Sequence, residues 1–377
     1  MTRAAAVAWA RLAVGHPELV AWYLGSRPRL LGLAAEQLSR IGHSRPPLGI
    51  TLKPTLACNL RCRMCSFVAD GSVQSSPRGS LHVEVWKGLV DDVAPWRPYI
   101  WLTGGEPTLW PDFAELVAHC RSRRLLTGVT TNGTMLASLA EAVMRCPMDI
   151  LVVSVDGAAE VHNRVRGHDR AFERMAEGVA AIQRVKRASH VLRPTIVLSC
   201  AITPDNYDRL GDLLGVAEEL GADALSFQHL WQMTPAMVSE HNRKWGTEHR
   251  LPDPDGVAPA PALDTDRLLK AISVVRQASP QMPVLFQPSM TEREIGLYYA
   301  EPERFVKRSR AACAWLNTDV LPNGDVSPCF GMVCGNITQQ GFREIWNGPG
   351  FTAHRRRLSM EGDLPICARC CAYWRRD

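Results

Sequence analysis

No stretch of this 377-residue sequence reaches the 18 or so uncharged apolar residues that a membrane span needs. The apolar opening "MTRAAAVAWARLAVGHPELVAWYLG" is interrupted by Arg3, Arg11, His16 and Glu18, and it lacks the basic–apolar–small order of a secretory signal. Charge of one sign is scarce as well. A formal net charge of +5 is too small to imply a nucleic-acid partner, and the basic runs at 121–124 and 355–357 read as solvated faces. No solenoid-type repeat is present. With 46% hydrophobic and 21% charged residues, what remains is an ordinary globular composition, long enough for one large domain and a smaller one.

Cysteine is not scarce: there are 12. They gather at two places in a long chain without a signal, which argues against a disulfide scaffold and for metal-bound thiolates in a reducing cytoplasm. The first group, "TLACNLRCRMCSF", sets Cys58, Cys62 and Cys65 within eight residues and attaches no histidine. Structural zinc wants four ligands and disulfides want pairs. A cubane iron–sulfur cluster has four irons, so three thiolates leave one iron open for a ligand that reacts.

Residues 1–46 read as a helical extension in two segments broken at Gly25 and Pro28. It either packs on the main domain or makes a peripheral membrane contact, as an amphipathic element would. From 47 to 235, apolar runs such as "YIWLTG", "LTGVTTNG", "DILVVSVDG", "TIVLSCAIT" and "ALSFQHL" alternate with helical patterns. That alternation predicts an α/β fold with a parallel sheet and crossover helices, its chemistry beyond the carboxyl ends of the strands. Residues 236–310, with the proline-rich "RLPDPDGVAPAPALDTD", read as a linker or lid and a closing segment that includes a short strand at "PVLFQP". Residues 311–377 hold six of the cysteines. Cys120, Cys146 and Cys200 read as ordinary buried thiols.

The C-x3-C-x2-C loop after the first predicted strand resembles the radical S-adenosylmethionine (SAM) superfamily. "TGGEPTL" (103–109), "TTNGT" (130–134), "SVDG" (154–157) and "HNRVRG" (162–167) resemble its later motifs. The resemblance implies a partial (β/α)6 TIM-like barrel carrying a [4Fe-4S] cluster on Cys58, Cys62 and Cys65. SAM then chelates the open iron and is cleaved to a 5′-deoxyadenosyl radical that abstracts a substrate hydrogen atom. It further implies SAM contacts from Met64, Gly104, Gly105, Glu106, Asn132, Ser154, Asp156 and Arg166, with Ser199 and Gln228 as outlying candidates. An external donor such as flavodoxin or ferredoxin supplies the electron.

"C-x10-G-x4-C" from Cys313 through Gly324 to Cys329, followed by "GNI", "FREIWNG" and "CARC", resembles the SPASM/twitch extension of that superfamily. This implies a second [4Fe-4S] cluster on Cys313, Cys329, Cys367 and Cys370, although four thiolates also suit zinc. Cys334 and Cys371 are left over as candidate hydrogen-atom donors for an epimerisation. The leading expectation is dehydrogenation or epimerisation of a sugar or small metabolite. A peptide-modifying enzyme, a membrane-surface enzyme acting on a lipid-linked substrate, and a non-catalytic iron–sulfur electron carrier are the alternatives.

Overall fold

The computed structural model describes residues 17–77, 79–247, 249–257, 260–278, 280–306 and 311–370, with side chains from residue 24 onward. Among the described residues, ten strands form one sheet in the order β10-β9-β8-β1-β2-β3-β4-β5-β6-β7. Strands β1 (Gly49–Leu52), β2 (Tyr99–Leu102), β3 (Thr127–Thr131), β4 (Ile150–Ser154), β5 (Thr195–Ile202), β6 (Ala224–His229) and β7 (Val284–Gln287) are successively parallel. Helices cross over between them, among them Val83–Val93, Phe113–Ser122, Leu136–Arg145 and Ala171–Ala188.

Alternation along the strands explains which face does what. Ile50, Leu52, Ile100, Leu102, Leu151, Val153, Leu198 and Cys200 are buried under the helices. Their neighbours Thr51, Trp101, Thr130, Ser154 and Ser199 are only partly buried and face the inner side of the curved sheet. The outward residues thus make the core, and the inward ones line a lumen open at the strands' carboxyl ends.

The chain's last part joins the same sheet. β8 (Asn317–Val320) pairs in parallel with β1, and β9 (Asp325–Ser327) and β10 (Gly335–Asn336) follow antiparallel. The cysteine-rich segment is therefore an extension of the barrel's own ladder.

The N-terminal region departs from its expected form. A helix, α1 (Pro17–Leu38), runs without a break through Gly25 and Pro28. Proline inside a helix costs about 3 kcal/mol, so tertiary contacts must offset it. Ser26, Arg29, Leu33 and Gln37 lie on one face and are buried. Arg29 Nη2 donates to the Trp315 carbonyl at 2.6 Å and Gln37 Nε2 to the Ala311 carbonyl at 2.9 Å. Leu24, Leu31 and Leu38 remain exposed on the other side. Residues 1–16, which carry part of the membrane-contact expectation, lie outside the described residues. Among the described residues no helix is long and apolar enough to cross a membrane.

Candidate active site

The loop after β1 carries Cys58, Cys62 and Cys65 into a cavity of about 180 Å³ at the carboxyl ends of β2, β3 and β4. Met64, Gly104, Gly105, Glu106, Asn132, Ser154 and Arg166 line the same cavity. Seven of the ten expected SAM-contact residues are therefore brought together with the three thiols.

The turn after β2 has glycines for a steric reason. A Cβ on Gly105 would meet the Ala57 carbonyl at 2.3 Å, and one on Gly104, at φ +131°, would meet the Thr55 carbonyl at 2.4 Å. That close approach lets Gly105 N donate to Thr55 O at 3.0 Å and Glu106 N to Ala57 O at 2.7 Å, fixing the cysteine loop to the strand end. The buried Glu106 carboxylate then accepts from four protein donors. Thr108 N, Thr108 Oγ1 and Thr131 Oγ1 reach Oε1 at 3.1, 2.6 and 2.7 Å, and Asn132 N reaches Oε2 at 2.7 Å. Burial pushes its pKa up while these donors pull it down. Glu106 thus braces two strand ends, and only Oε2 keeps accepting capacity toward the cavity. Asn132 extends the brace, donating to Asn59 Oδ1 at 2.9 Å within the cysteine loop.

From the other side comes the helix Ala159–Arg166. Arg63 N donates to Val165 O at 2.9 Å. A Cβ on Gly167, at φ +66°, would meet the Arg61 carbonyl at 2.5 Å. This docking puts Arg166 Nη1 3.7 Å from Cys62 Sγ. Burial raises the Cys62 pKa, and the guanidinium opposes that rise. For Cys58 burial dominates and pushes the thiol up to about 11.

Asp156 is placed differently from the expectation. It is fully buried, does not line the cavity, and sits 2.5 Å from Arg166 Nε in a close ionic contact that is not a linear hydrogen bond. Its carboxylate is committed to holding Arg166, which makes it a positioning group. Ser199 and Gln228 lie in register with the inner face, Ser199 beside Ser154 and Gln228 beside Gln287, yet neither lines this cavity. Gln228 Nε2 donates to Gln287 Oε1 at 3.3 Å.

A second, larger cavity of about 680 Å³ begins where the first ends. Phe67 lines both. Cys313, Cys329, Cys367 and Cys370 stand around the larger one, and Cys334 does not. Burial pushes Cys313 up to about 11 and Cys329 up to about 12, and Cys367 also lies well above the ordinary thiol range. Cys334 sits instead against Gly350, where a Cβ would come 3.1 Å from its own, and its amide donates to Val326 O at 2.8 Å. It lines neither cavity, which leaves the donor role expected of it without support. Cys371 lies outside the described residues.

The donor sets fit iron–sulfur clusters. No trio of His, Cys, Asp or Glu among the described residues is drawn tightly enough for a single metal ion. Three thiols beside a guanidinium, with the Glu106 carboxylate engaged by four donors, suit a cubane that keeps one iron open. Four thiols, Cys367 buried and Cys313, Cys329 and Cys370 half-buried, are enough for a closed set, and desolvated thiols ionise by binding metal.

These features define an α/β partial barrel with three cysteines at its mouth and four more around an adjoining cavity. The profile of the Radical SAM superfamily matches residues 52–214, and that of the SPASM iron-sulfur cluster-binding domain matches 313–371. The chain belongs to the radical SAM superfamily, with a C-terminal SPASM domain; it is a radical SAM enzyme whose cofactors are a [4Fe-4S] cluster with SAM and an auxiliary iron–sulfur cluster. It is 27% identical over 344 residues to the AdoMet-dependent heme synthase of Methanosarcina barkeri, covering 87% of this chain and 90% of that protein. It is 24% identical over 341 residues to the PqqA peptide cyclase of Xanthomonas axonopodis pv. citri, covering 86% and 80%. The fold is similar to that of SuiB from Streptococcus suis bound to S-adenosylmethionine, with a TM-score of 0.60 at 14% identity, covering 89% of this chain and 72% of that one.

Sequence reasoning missed Phe67, Lys53 and Asp319. Lys53 Nζ lies 2.5 Å from Asp319 Oδ2, and both line the larger cavity. Lys53 ends the β1 run and Asp319 lies on a strand that pairs with β1 only in the folded chain. No local signal marks them.

Proposed function

We propose that this enzyme dehydrogenates a largely apolar organic molecule bearing one or a few polar anchors, held in the larger cavity between the two cluster sites. The observation that carries this reading is the position of that cavity. Ser66 and Phe67, which follow Cys65, form one wall, and Cys313, Cys329, Cys367 and Cys370 form another. Clusters bound at the two sites supply one-electron cleavage of SAM at the first and one-electron removal from the substrate at the second.

The chain's own residues supply the remaining parts. Leu56, Phe67, Trp231, Phe330 and Ile366 give the cavity a mostly apolar wall, which suits an apolar or aromatic body better than a sugar ring needing many polar partners. Lys53 and Asp319 are the charged side chains on that wall among the described residues. Lys53 is placed to anchor a carboxylate or other anionic group of the substrate. Asp319 is placed to accept a proton. The reaction then balances: a C–H hydrogen leaves as 5′-deoxyadenosine, and the substrate radical gives up one electron to the auxiliary cluster and one proton to Asp319. The likeness to an AdoMet-dependent heme synthase over most of both chains supports a substrate of this amphiphilic kind.

The test uses the anaerobically reconstituted enzyme with SAM and dithionite, challenged separately with a haem precursor, a short hydrophobic peptide and an amino sugar. Stimulated 5′-deoxyadenosine formation with a product two hydrogens lighter, from the haem precursor and not the sugar, is expected. Stimulation by the sugar alone, or a product of unchanged mass, overturns the reading.

A further inference from the structure

At the opposite end of the barrel, where β1, β2 and β3 begin, a separate cavity of about 560 Å³ opens beneath α1. Four arginines line it, Arg29, Arg45, Arg97 and Arg124, together with Trp96 and an apolar floor that includes Leu126. No carboxylate lines it among the described residues. Glu36, behind the wall, lies 2.8 Å from Arg29 Nη1 and 3.6 Å from Arg45 Nε and offsets part of that charge.

The neighbouring arginines are paired. Arg121 and Arg193 meet Asp149 at 2.7 and 3.0 Å, and Arg123 meets Asp91 at 2.6 Å. Arg97 and Arg124 make no ion pair with any described carboxylate. Both also hold left-handed backbone, at φ 55° and 57°, in the turns that lead into β2 and β3. Glycine adopts that conformation without strain and arginine does not. Two unpaired guanidinium groups thus face one arginine-lined hollow whose wall carries no described carboxylate to neutralise them.

We propose that this cavity binds a phosphate-bearing anion with an apolar or aromatic portion, at a site independent of the SAM and substrate cavities. Guanidinium groups match phosphate oxygens in fork geometry. Trp96 and Leu126 offer the apolar part a surface. The phosphate belongs either to a soluble ester, such as a nucleoside diphosphate, or to an acidic lipid headgroup.

The strain makes a clean test available, because Arg97→Gly and Arg124→Gly remove the charge while relieving the backbone. Calorimetric titration with ADP and with pyrophosphate covers the soluble source. Co-sedimentation with phosphatidylglycerol vesicles, against phosphatidylcholine, covers the lipid source. Wild type is expected to bind in one arm, and the double glycine variant to bind at least about tenfold more weakly. The variant's melting temperature should be unchanged or higher, with 5′-deoxyadenosine formation unaltered. Absence of binding in both arms, or equal binding by the double variant, overturns the site.

Discussion

Cys58, Cys62 and Cys65 come from one eight-residue loop, whereas Cys313, Cys329, Cys367 and Cys370 are gathered from segments far apart in the chain. The first site is local in sequence but depends on neighbours to hold it. Two glycines let the next strand end press against it, Glu106 and Asn132 brace it, and Arg166 brings a positive charge to Cys62. The second site is tied chiefly through backbone: Ser327 Oγ donates to the Cys329 carbonyl at 2.5 Å, and the buried Arg369, between Cys367 and Cys370, donates to five backbone carbonyls. Its thiols are walled by Trp315, Leu316, Leu364 and Ile366, and folding of the whole C-terminal region brings them together. The first set is held by side chains that reach the cysteine loop and bring charge to a thiol, and the second by an apolar wall with backbone-directed polar ties.

That contrast breaks most sharply under cysteine replacement. Changing Cys58, Cys62 and Cys65 together to alanine should abolish 5′-deoxyadenosine formation and leave about four irons per chain. Changing Cys313 and Cys329 should also remove about four irons while SAM cleavage persists. It should further lower the melting temperature of the iron-loaded protein, because a metal that binds only the folded chain contributes folding free energy. Iron analysis, product chromatography and calorimetry decide. Equal loss of SAM cleavage in both variants would erase the distinction.

Next in size is the polar support of the open site. Asp156→Ala strands the buried Arg166 guanidinium and should destabilise the chain by about 3–5 kcal/mol in urea unfolding. Arg166→Met, which removes the charge as well as the contact, should cost the Asp156→Asn background less than it costs wild type. Gly105→Ala should be milder for the fold, about 1–3 kcal/mol. It should nevertheless strongly impair iron uptake at the first site, since its Cβ meets the Ala57 carbonyl at 2.3 Å. Full iron content in that variant would refute the close-packing account.

The smallest effect lies behind the closed site. His354 is driven down to about 3 by burial and then by His249, Arg355, Arg357 and His241, and His241 to about 4 by burial and then by His249 and Arg357. Both folded pKa values lie below the ordinary 6.5, so the unfolded chain takes up protons first. Stability is complete above about pH 6.5 and falls as pH drops below it. The urea midpoint should therefore fall from pH 7 to pH 5, and His354→Gln should flatten that slope.

The open site was largely legible in the sequence because its parts are strand ends. "CNLRCRMC", "GGEP" and "TTNG" each sit in a few contiguous residues, and the parallel fold then had to bring them together. The grouping of Cys313, Cys329, Cys367 and Cys370 around one cavity also accords with the spacing. What escaped was contact between distant segments. Asp156 ends a strand like Ser154 but turns to Arg166, and no spacing tells the two apart. Helix α1 passes through Pro28 because Arg29 finds the Trp315 carbonyl 286 positions away. The Lys53–Asp319 pair needs β8 beside β1, a placement set only by the closing of the sheet.

β8 runs in register with β1 from Gly49 opposite Asn317 to Leu52 opposite Val320. One cysteine loop leaves the end of β1, and the hairpin that begins with β8 leads to Cys329. The first cysteine loop and the segment that leads to Cys329 consequently start from neighbouring strands of one hydrogen-bonded ladder. The pairing ties the base of the first cysteine loop to the base of the segment that carries Cys329.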